Sequence, residues 1–275
     1  MPRPSRSRAQ QSFWRDPVLP FIEARNVADG RDLHYERHWH ETHSVGLITG
    51  GRSTYVNGAH AEVVERGAVV VINPGDVHGC NPVDDAPWSY LMFYLDPAWL
   101  GQVQARLRGD AEVAFRPYAR PALRAPHLVA AGGRLFSVLV DARRSPADKV
   151  AAATGFVALL DRELVPALAL GAAVTPQVER VARYIDAHFA DPLSLQDLCE
   201  HAQLSGSHLI RAFRKRFGVA PHEYQINRRI QHARARLREG ETIAQVALDV
   251  GFADQAHFQR VFKRLTAATP GQYRA

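Results

Sequence analysis

Apolar positions along the chain fall into distinct regimes. From residue 21 to about residue 95 they come in short runs broken by turn residues. Residues 44–49 end at Gly50-Gly51, residues 53–56 run into Asn57-Gly58, and residues 59–64 follow, which predicts a hairpin at Asn57-Gly58. Residues 68–72 are continuously apolar and are closed by Asn73-Pro74-Gly75-Asp76, the pattern of a strand buried on both faces. Residues 88–95 form a further, aromatic-rich strand. Short strands at this spacing predict a small barrel or jelly roll.

From about Pro126 the period lengthens. Leu128, Gly132, Leu135 and Leu139 step by four, three and four. After Ser145-Pro146, the residues Val150, Ala153, Val157, Leu160 and Leu164 step by three, four, three and four. Two amphipathic helices with a coiled-coil-like seam are expected, either packed back onto the strands or joining two copies as a homodimer. Residues 1–20, rich in Arg, Ser, Gln and Pro, read as a mobile arm. Residues 166–176 read as a linker. Helical spacing then covers 177–189, 195–202, 206–217, 221–239, 243–249 and 255–265. The expected class is multidomain β + α: an arm (1–20), a β-barrel with two accessory helices (21–165), the linker, and an all-α domain (177–275).

The all-α part contains one segment twice, offset by 49 positions. The offset pairs Gln196 with Gln245, His208 with His257, Arg211 with Arg260, Phe213 with Phe262, Pro221 with Pro270 and Tyr224 with Tyr273. In each copy a short helix, capped by Asp191 or Ser194 and by Thr242, leads through a tight turn to a second helix, capped by Ser205 and by Asp254. That is a helix-turn-helix, whose second helix enters the major groove of double-stranded DNA. Leu209, Phe213 and Phe217 share one helical face, as do Phe258, Phe262 and Leu265. The remaining positions are candidates to face bases: Ser207, His208, Ile210 and Arg211 in the first copy, Gln255, Ala256, Gln259 and Arg260 in the second. Arg can contact guanine in bidentate fashion and Gln adenine. Arg214, Lys215, Arg216, Lys263 and Arg264 are expected to neutralise phosphate, and His208 and His257 to cap or to touch phosphate rather than read bases. Tyr224 and Tyr273 are expected to close the small cores.

Charge supports this reading. The net charge is +6, and residues 205–238 carry nine basic residues against the single acid Glu223. A basic patch confined to one domain is a footprint for polyanions, although a solvated helix face has the same composition. The apolar stretch 164–174 is interrupted by Pro166 and too short for a bilayer, so no membrane partner is expected. Cys80 and Cys199 form no disulfide framework and suit a reducing cytoplasm. The N-terminus lacks the apolar core of a secretory signal.

Ile243-Ala244, Ala247 and Gly251-Phe252, followed by His257-Phe258, Arg260, Phe262-Lys263, Thr269-Pro270 and Tyr273-Arg274, resemble the signature of the AraC/XylS family of bacterial transcription regulators. The likeness covers essentially residues 25–275, including the first copy and the connecting helix, and is most specific over 240–274 and weaker over the barrel. It implies two helix-turn-helix units on one connecting helix, reading adjacent major-groove segments about one DNA turn apart, roughly 34 Å. It also implies an effector-binding barrel, and RNA polymerase as a partner if the protein activates transcription.

His38-Trp39-His40 and Pro74-Gly75-Asp76-Val77-His78 resemble the two cupin motifs. On a strand, His38 and His40 would share a face. The position expected to supply a metal-binding Glu is Ser44 or Val45, so a site would rest on His38, His40 and His78, with His43 as a possible fourth ligand. Lacking the carboxylate, the chain is expected to hold no metal or other cofactor and to use His38, His40, Tyr55, His78 and Trp88 to line a pocket for a small-molecule effector. A structural histidine network is the alternative, weighed equally for His78. Two other functions compete: a cupin-type metalloenzyme fused to a DNA-binding head, and redox sensing through Cys80.

Overall fold

Period-two alternation builds the first half of the chain into two antiparallel sheets. The structure is a computed structural model that describes residues 11–164 and 176–274. The linker expected over 166–176 therefore lies outside the described residues, Pro176 excepted, as does the first half of the expected arm. The N-terminal strands are β1 (Gln11–Trp14), β2 (Ile22–Val27), β3 (His43–Gly50), β4 (Arg52–Asn57), β5 (His60–Glu65), β6 (Ala68–Ile72), β7 (His78–Pro82) and β8 (Ser89–Leu95). Helix α1 (Pro97–Arg108), strand β9 (Ala122–Arg124) and helices α2 (Pro126–Val140) and α3 (Pro146–Glu163) follow. One sheet has the order β1-β2-β8-β3-β6-β9 and the other β5-β4-β7.

Two expectations need correction here. The arm is not irregular throughout, because residues 11–14 form β1, paired with β2 in the register Gln11 to Val27 and Trp14 to Ala24. The strands also do not close into a single hydrogen-bonded barrel; they form two sheets bridged by side chains, as where the buried Tyr55 hydroxyl of β4 donates to Val71 O of β6 at 2.8 Å. The cupin-like layout survives as a sandwich rather than a closed cylinder.

The large sheet buries both faces. Val45 and Leu47 of β3, Val69 and Val71 of β6, and Leu91, Phe93 and Leu95 of β8 pack with helical residues in one core. The alternate positions Ser44, Gly46, Ile48, Val70 and Ile72 point to the opposite face. The seam of α2 and α3 belongs to the helix-side core: Leu128, Leu139, Val157 and Leu160 are fully buried in the chain itself. The residues expected to join two copies are thus used to attach the helices to the sheet. Gly132 allows a close approach there, since a Cβ at that position would come within 2.0 Å of Leu47 Cδ1 and force that side chain to shift. Ser145 and Asp148 start α3 with a reciprocal capping box.

The chain divides into two compact units, Met1–His34 with His40–Leu168, and Tyr35–Trp39 with Ala169–Ala275. The second contains α4 (Pro176–Ala187), α5 (Leu195–Ala202), α6 (Gly206–Phe217), α7 (Pro221–Arg238), α8 (Ile243–Asp249), α9 (Gln255–Thr266) and α10 (Pro270–Arg274). Ser194, Thr242 and Asp254 cap α5, α8 and α9 as expected; Ser205 takes the cap position of α6 but makes no side-chain cap bond.

Candidate nucleic-acid interface

Both copies of the repeat fold alike. Leu209 and Phe213 anchor α6, and Phe258, Phe262 and Leu265 anchor α9, all of them buried. Tyr224 packs on Phe213 and Phe217 with ring centroids 5.4 Å and 5.2 Å away, and Tyr273 packs on Phe262 at 5.5 Å. The equivalent tyrosines close equivalent cores.

With the apolar face fixed, the opposite faces of both helices lie open. Ser207, His208 and Arg211 of α6 and Gln255, Ala256, Gln259 and Arg260 of α9 are exposed, while Ile210 is half-buried. Arg211, Arg214, Lys215, Arg260 and Lys263 are exposed cations without an ion-pair partner among the described residues. Two of the expected phosphate contacts are already engaged. Arg216 pairs with Glu179 at 2.5 Å and lies over the Phe217 ring, and Arg264 pairs with Glu36 at 2.8 Å.

Glu36 belongs to a segment that sequence reasoning placed elsewhere. Residues 35–39 cluster with the helical unit: Trp39 is buried, stacks on Tyr224 at 5.2 Å and accepts a bond at its carbonyl from Gln231 Nε2 at 2.8 Å. His38 lies in this segment, which is not a β-strand, so the period-two rule that put it on one face with His40 does not apply.

His40 and His78 do meet, with ring centroids 4.8 Å apart, both buried. His40 Nδ1 donates to Thr42 O at 2.9 Å and its Nε2 lies 3.3 Å from Ser44 Oγ; His78 Nδ1 donates to Asp76 O at 2.8 Å. A carbonyl can only accept, so these bonds fix the Nδ1–H form of each ring. Burial pushes the His78 imidazole down to about 4, so it is neutral. Asp76 holds the turn before it by accepting from Asn73 N at 3.0 Å and Asn57 Nδ2 at 3.2 Å. Tyr94 lies 5.7 Å from His40 and is the cross-strand neighbour of Ser44. Sequence reasoning did not place Ser44 and Tyr94 beside His40, although strand parity puts both on the face opposite the helix-side core.

The other expected pocket residues are engaged structurally. The Tyr55 hydroxyl bonds Val71 O, and burial raises its phenol well above the usual range. Trp88 Nε1 donates to Gly30 O at 2.9 Å and its ring stacks on Tyr90 at 4.5 Å. His43 points into the other face of the sheet, between Phe115 at 5.2 Å and Tyr118 at 5.4 Å. Its two ring nitrogens are buried without a hydrogen-bond partner. No group of three or more potential metal ligands occurs among the described residues. Burial pushes the Cys80 thiol up to about 12, which removes the thiolate that redox sensing needs.

Comparison with known proteins agrees with this architecture. Residues 22–160 match an AraC-like ligand binding domain and residues 198–275 a helix-turn-helix domain. The uncharacterized HTH-type transcriptional regulator YbfI of Bacillus subtilis is 25% identical over 225 residues, 81% of each chain. The uncharacterized HTH-type transcriptional regulator SACOL0084 of Staphylococcus aureus is 42% identical over 99 residues, 36% of this chain and 13% of that protein. In structure, ToxT from Vibrio cholerae with unsaturated fatty acid bound has a TM-score of 0.57 at 14% identity, over 98% of this chain and 96% of its own. A second ToxT structure has a TM-score of 0.56 at 12% identity, over 96% of both chains. With more than half of its length matched by the ligand-binding domain and its end by the helix-turn-helix domain, the chain belongs to the AraC family of HTH-type transcriptional regulators.

Proposed function

We propose that α6 and α9 read adjacent segments of one DNA duplex, and that a small molecule held on the N-terminal unit sets how well they do so. The observation that carries this reading is the duplication itself. Two helices of equal length, anchored by equivalent aromatic residues, present Arg211 and Arg260 at equivalent exposed positions. Arg211, Arg260, Gln255 and Gln259 take the base-reading roles; Arg214, Lys215 and Lys263 neutralise phosphate.

For the effector we assign the polar cluster of His40, His78, Ser44 and Tyr94. The neutral His78 imidazole donates and accepts hydrogen bonds without bringing charge, which suits a molecule with an apolar body and one hydrogen-bonding end. The fatty acid bound to ToxT supports a small-molecule effector of that kind. The reading takes the chain as a regulator rather than a cupin-type metalloenzyme, in line with relatives that are HTH-type transcriptional regulators by description. No described helix is long and apolar enough to cross a membrane; we assign the chain to the cytoplasm, with RNA polymerase as the further partner if it activates transcription.

Self-association is assigned to the outward faces of α2 and α3. A groove of about 460 Å³ lies between them, with Ala131, Val138, Ala152 and Leu159 as its apolar wall and Arg134 and Arg162 beside it. The occupant is a second copy of the chain.

A thermal-shift screen of small metabolites on the full chain tests the effector assignment. His78→Ala should keep DNA binding and abolish the shift, and residues 175–275 alone should bind DNA without responding. An effector that moves the isolated head as strongly as the whole protein contradicts the assignment.

A further inference from the structure

The two reading helices are joined by more than their connecting helix. Arg229, in the middle of α7, directs its guanidinium at carbonyls from two separate places. Nε donates to Phe189 O at 2.7 Å and Nη2 to Asp191 O at 2.8 Å and Ala190 O at 3.3 Å, all in the loop that leads into α5. Nη1 donates to Gly251 O at 2.6 Å, in the turn between α8 and α9. One planar group with fixed donor directions therefore ties the entry of the first helix-turn-helix to the turn of the second.

Neighbouring contacts enforce the same junction. One turn earlier on α7, Gln225 Nε2 donates to Phe189 O at 3.1 Å and Asp191 O at 2.7 Å. Gly251 has φ +85°, and a Cβ there would come within 2.1 Å of Ala190 O. The backbones of the two copies are thus in direct contact, with Arg229 as the part that reaches both. Arg236 holds α8 to α7 separately, through Glu241 at 2.6 Å and Asp249 at 2.5 Å.

We propose that Arg229 is a specificity-determining positioning residue: it fixes the distance and phase between the two recognition helices, so that the protein accepts half-sites of one spacing only. It touches no DNA. This rests on the reading that α6 and α9 both enter the major groove. Each added base pair moves one half-site about 3.4 Å along the duplex and about a tenth of a turn around it. A rigid pair of helices cannot follow both changes, whereas a pair joined only through α7 can bend at the 189–191 junction.

The test uses the full chain. Selection from random duplexes gives the wild-type site, and duplexes with one base pair inserted or deleted between the half-sites give the spacing penalty. Wild type should lose at least tenfold in affinity for either change. Arg229→Met should reduce that penalty to below threefold while leaving the preferred bases of each half-site unchanged, a combination that general destabilisation does not produce. Arg229→Lys, which keeps the charge but lacks the fork, should also relax the penalty, and it carries the test alone if the methionine variant does not fold. A two-part wild-type site with an unchanged penalty in the folded variants overturns the inference alone. A wild-type site with a single block overturns the two-helix reading and the inference with it.

Discussion

Titration of the buried His43 gives a quantitative check on the packing of the N-terminal unit. The imidazole is fully buried and unpaired, and burial pushes it down to about 3 from an ordinary value of 6.5. The folded protein therefore holds it neutral while the unfolded chain takes up a proton below pH 6.5. Its contribution is fully present above that pH and is lost as the pH falls from 6.5 towards 3. Between pH 8 and pH 5 the loss is about 2 kcal/mol. His78, pushed down to about 4, adds a similar loss, but this cancels in a comparison of wild type with His43→Leu. Leucine places an apolar group between Phe115 and Tyr118 and removes two unpaired nitrogens, so at pH 8 the variant should be as stable as wild type or more so, by up to about 2 kcal/mol. At pH 5 its advantage should grow by about a further 2 kcal/mol. Urea unfolding followed by tryptophan fluorescence measures this in a Trp39→Phe background, where only Trp14, Trp88 and Trp99 of the N-terminal unit report. Parallel stability curves for wild type and variant from pH 8 to pH 5 would refute the depressed imidazole. A variant less stable at pH 8 by more than about 2 kcal/mol would mean the nitrogens have partners.

Three further outcomes follow from named contacts. Val157→Glu puts a carboxylate into a fully buried site and should unfold the N-terminal unit, whereas Leu159→Glu on the outward face should leave it folded and, by the proposed dimer surface, monomeric; light scattering and circular dichroism distinguish the two. Cys80 in the native protein should react with iodoacetamide at pH 8 roughly a thousandfold more slowly than an ordinary thiol, as read by peptide mass spectrometry, because its thiolate is suppressed. Lys215→Ala should weaken binding to all duplexes alike and lower the slope of log affinity against log salt by about one, while Arg211→Ala should cost about 1–3 kcal/mol and relax preference at one base position.

The helical half was readable because two signals coincide in it. Apolar residues at helical spacing mark the buried face, and Ser194, Thr242 and Asp254 mark where helices begin, so α5, α6 and α8 start and stop as read from the chain. The β half gave its interior strands for a similar reason: β6 is apolar throughout because both of its faces are covered. The edges were less readable. The residues of β1 carry no apolar alternation, and the strand is held by its pairing with β2, a contact remote in sequence. Periodicity likewise identified the seam of α2 and α3 but could not say whether a sheet or a second chain covers it. His38 was misplaced because the parity rule holds only on a strand. Arg229 was invisible as anything but one basic residue among nine, since its four acceptors are backbone carbonyls and carry no sequence signal.

The central claim is that two helices, α6 and α9, read DNA together. Selection of random duplexes by the full chain, repeated with Arg211→Ala and with Arg260→Ala, tests it most directly. The account predicts a two-part site for wild type, with Arg211→Ala blurring one part and Arg260→Ala the other. A site that both variants select as sharply as wild type would contradict it.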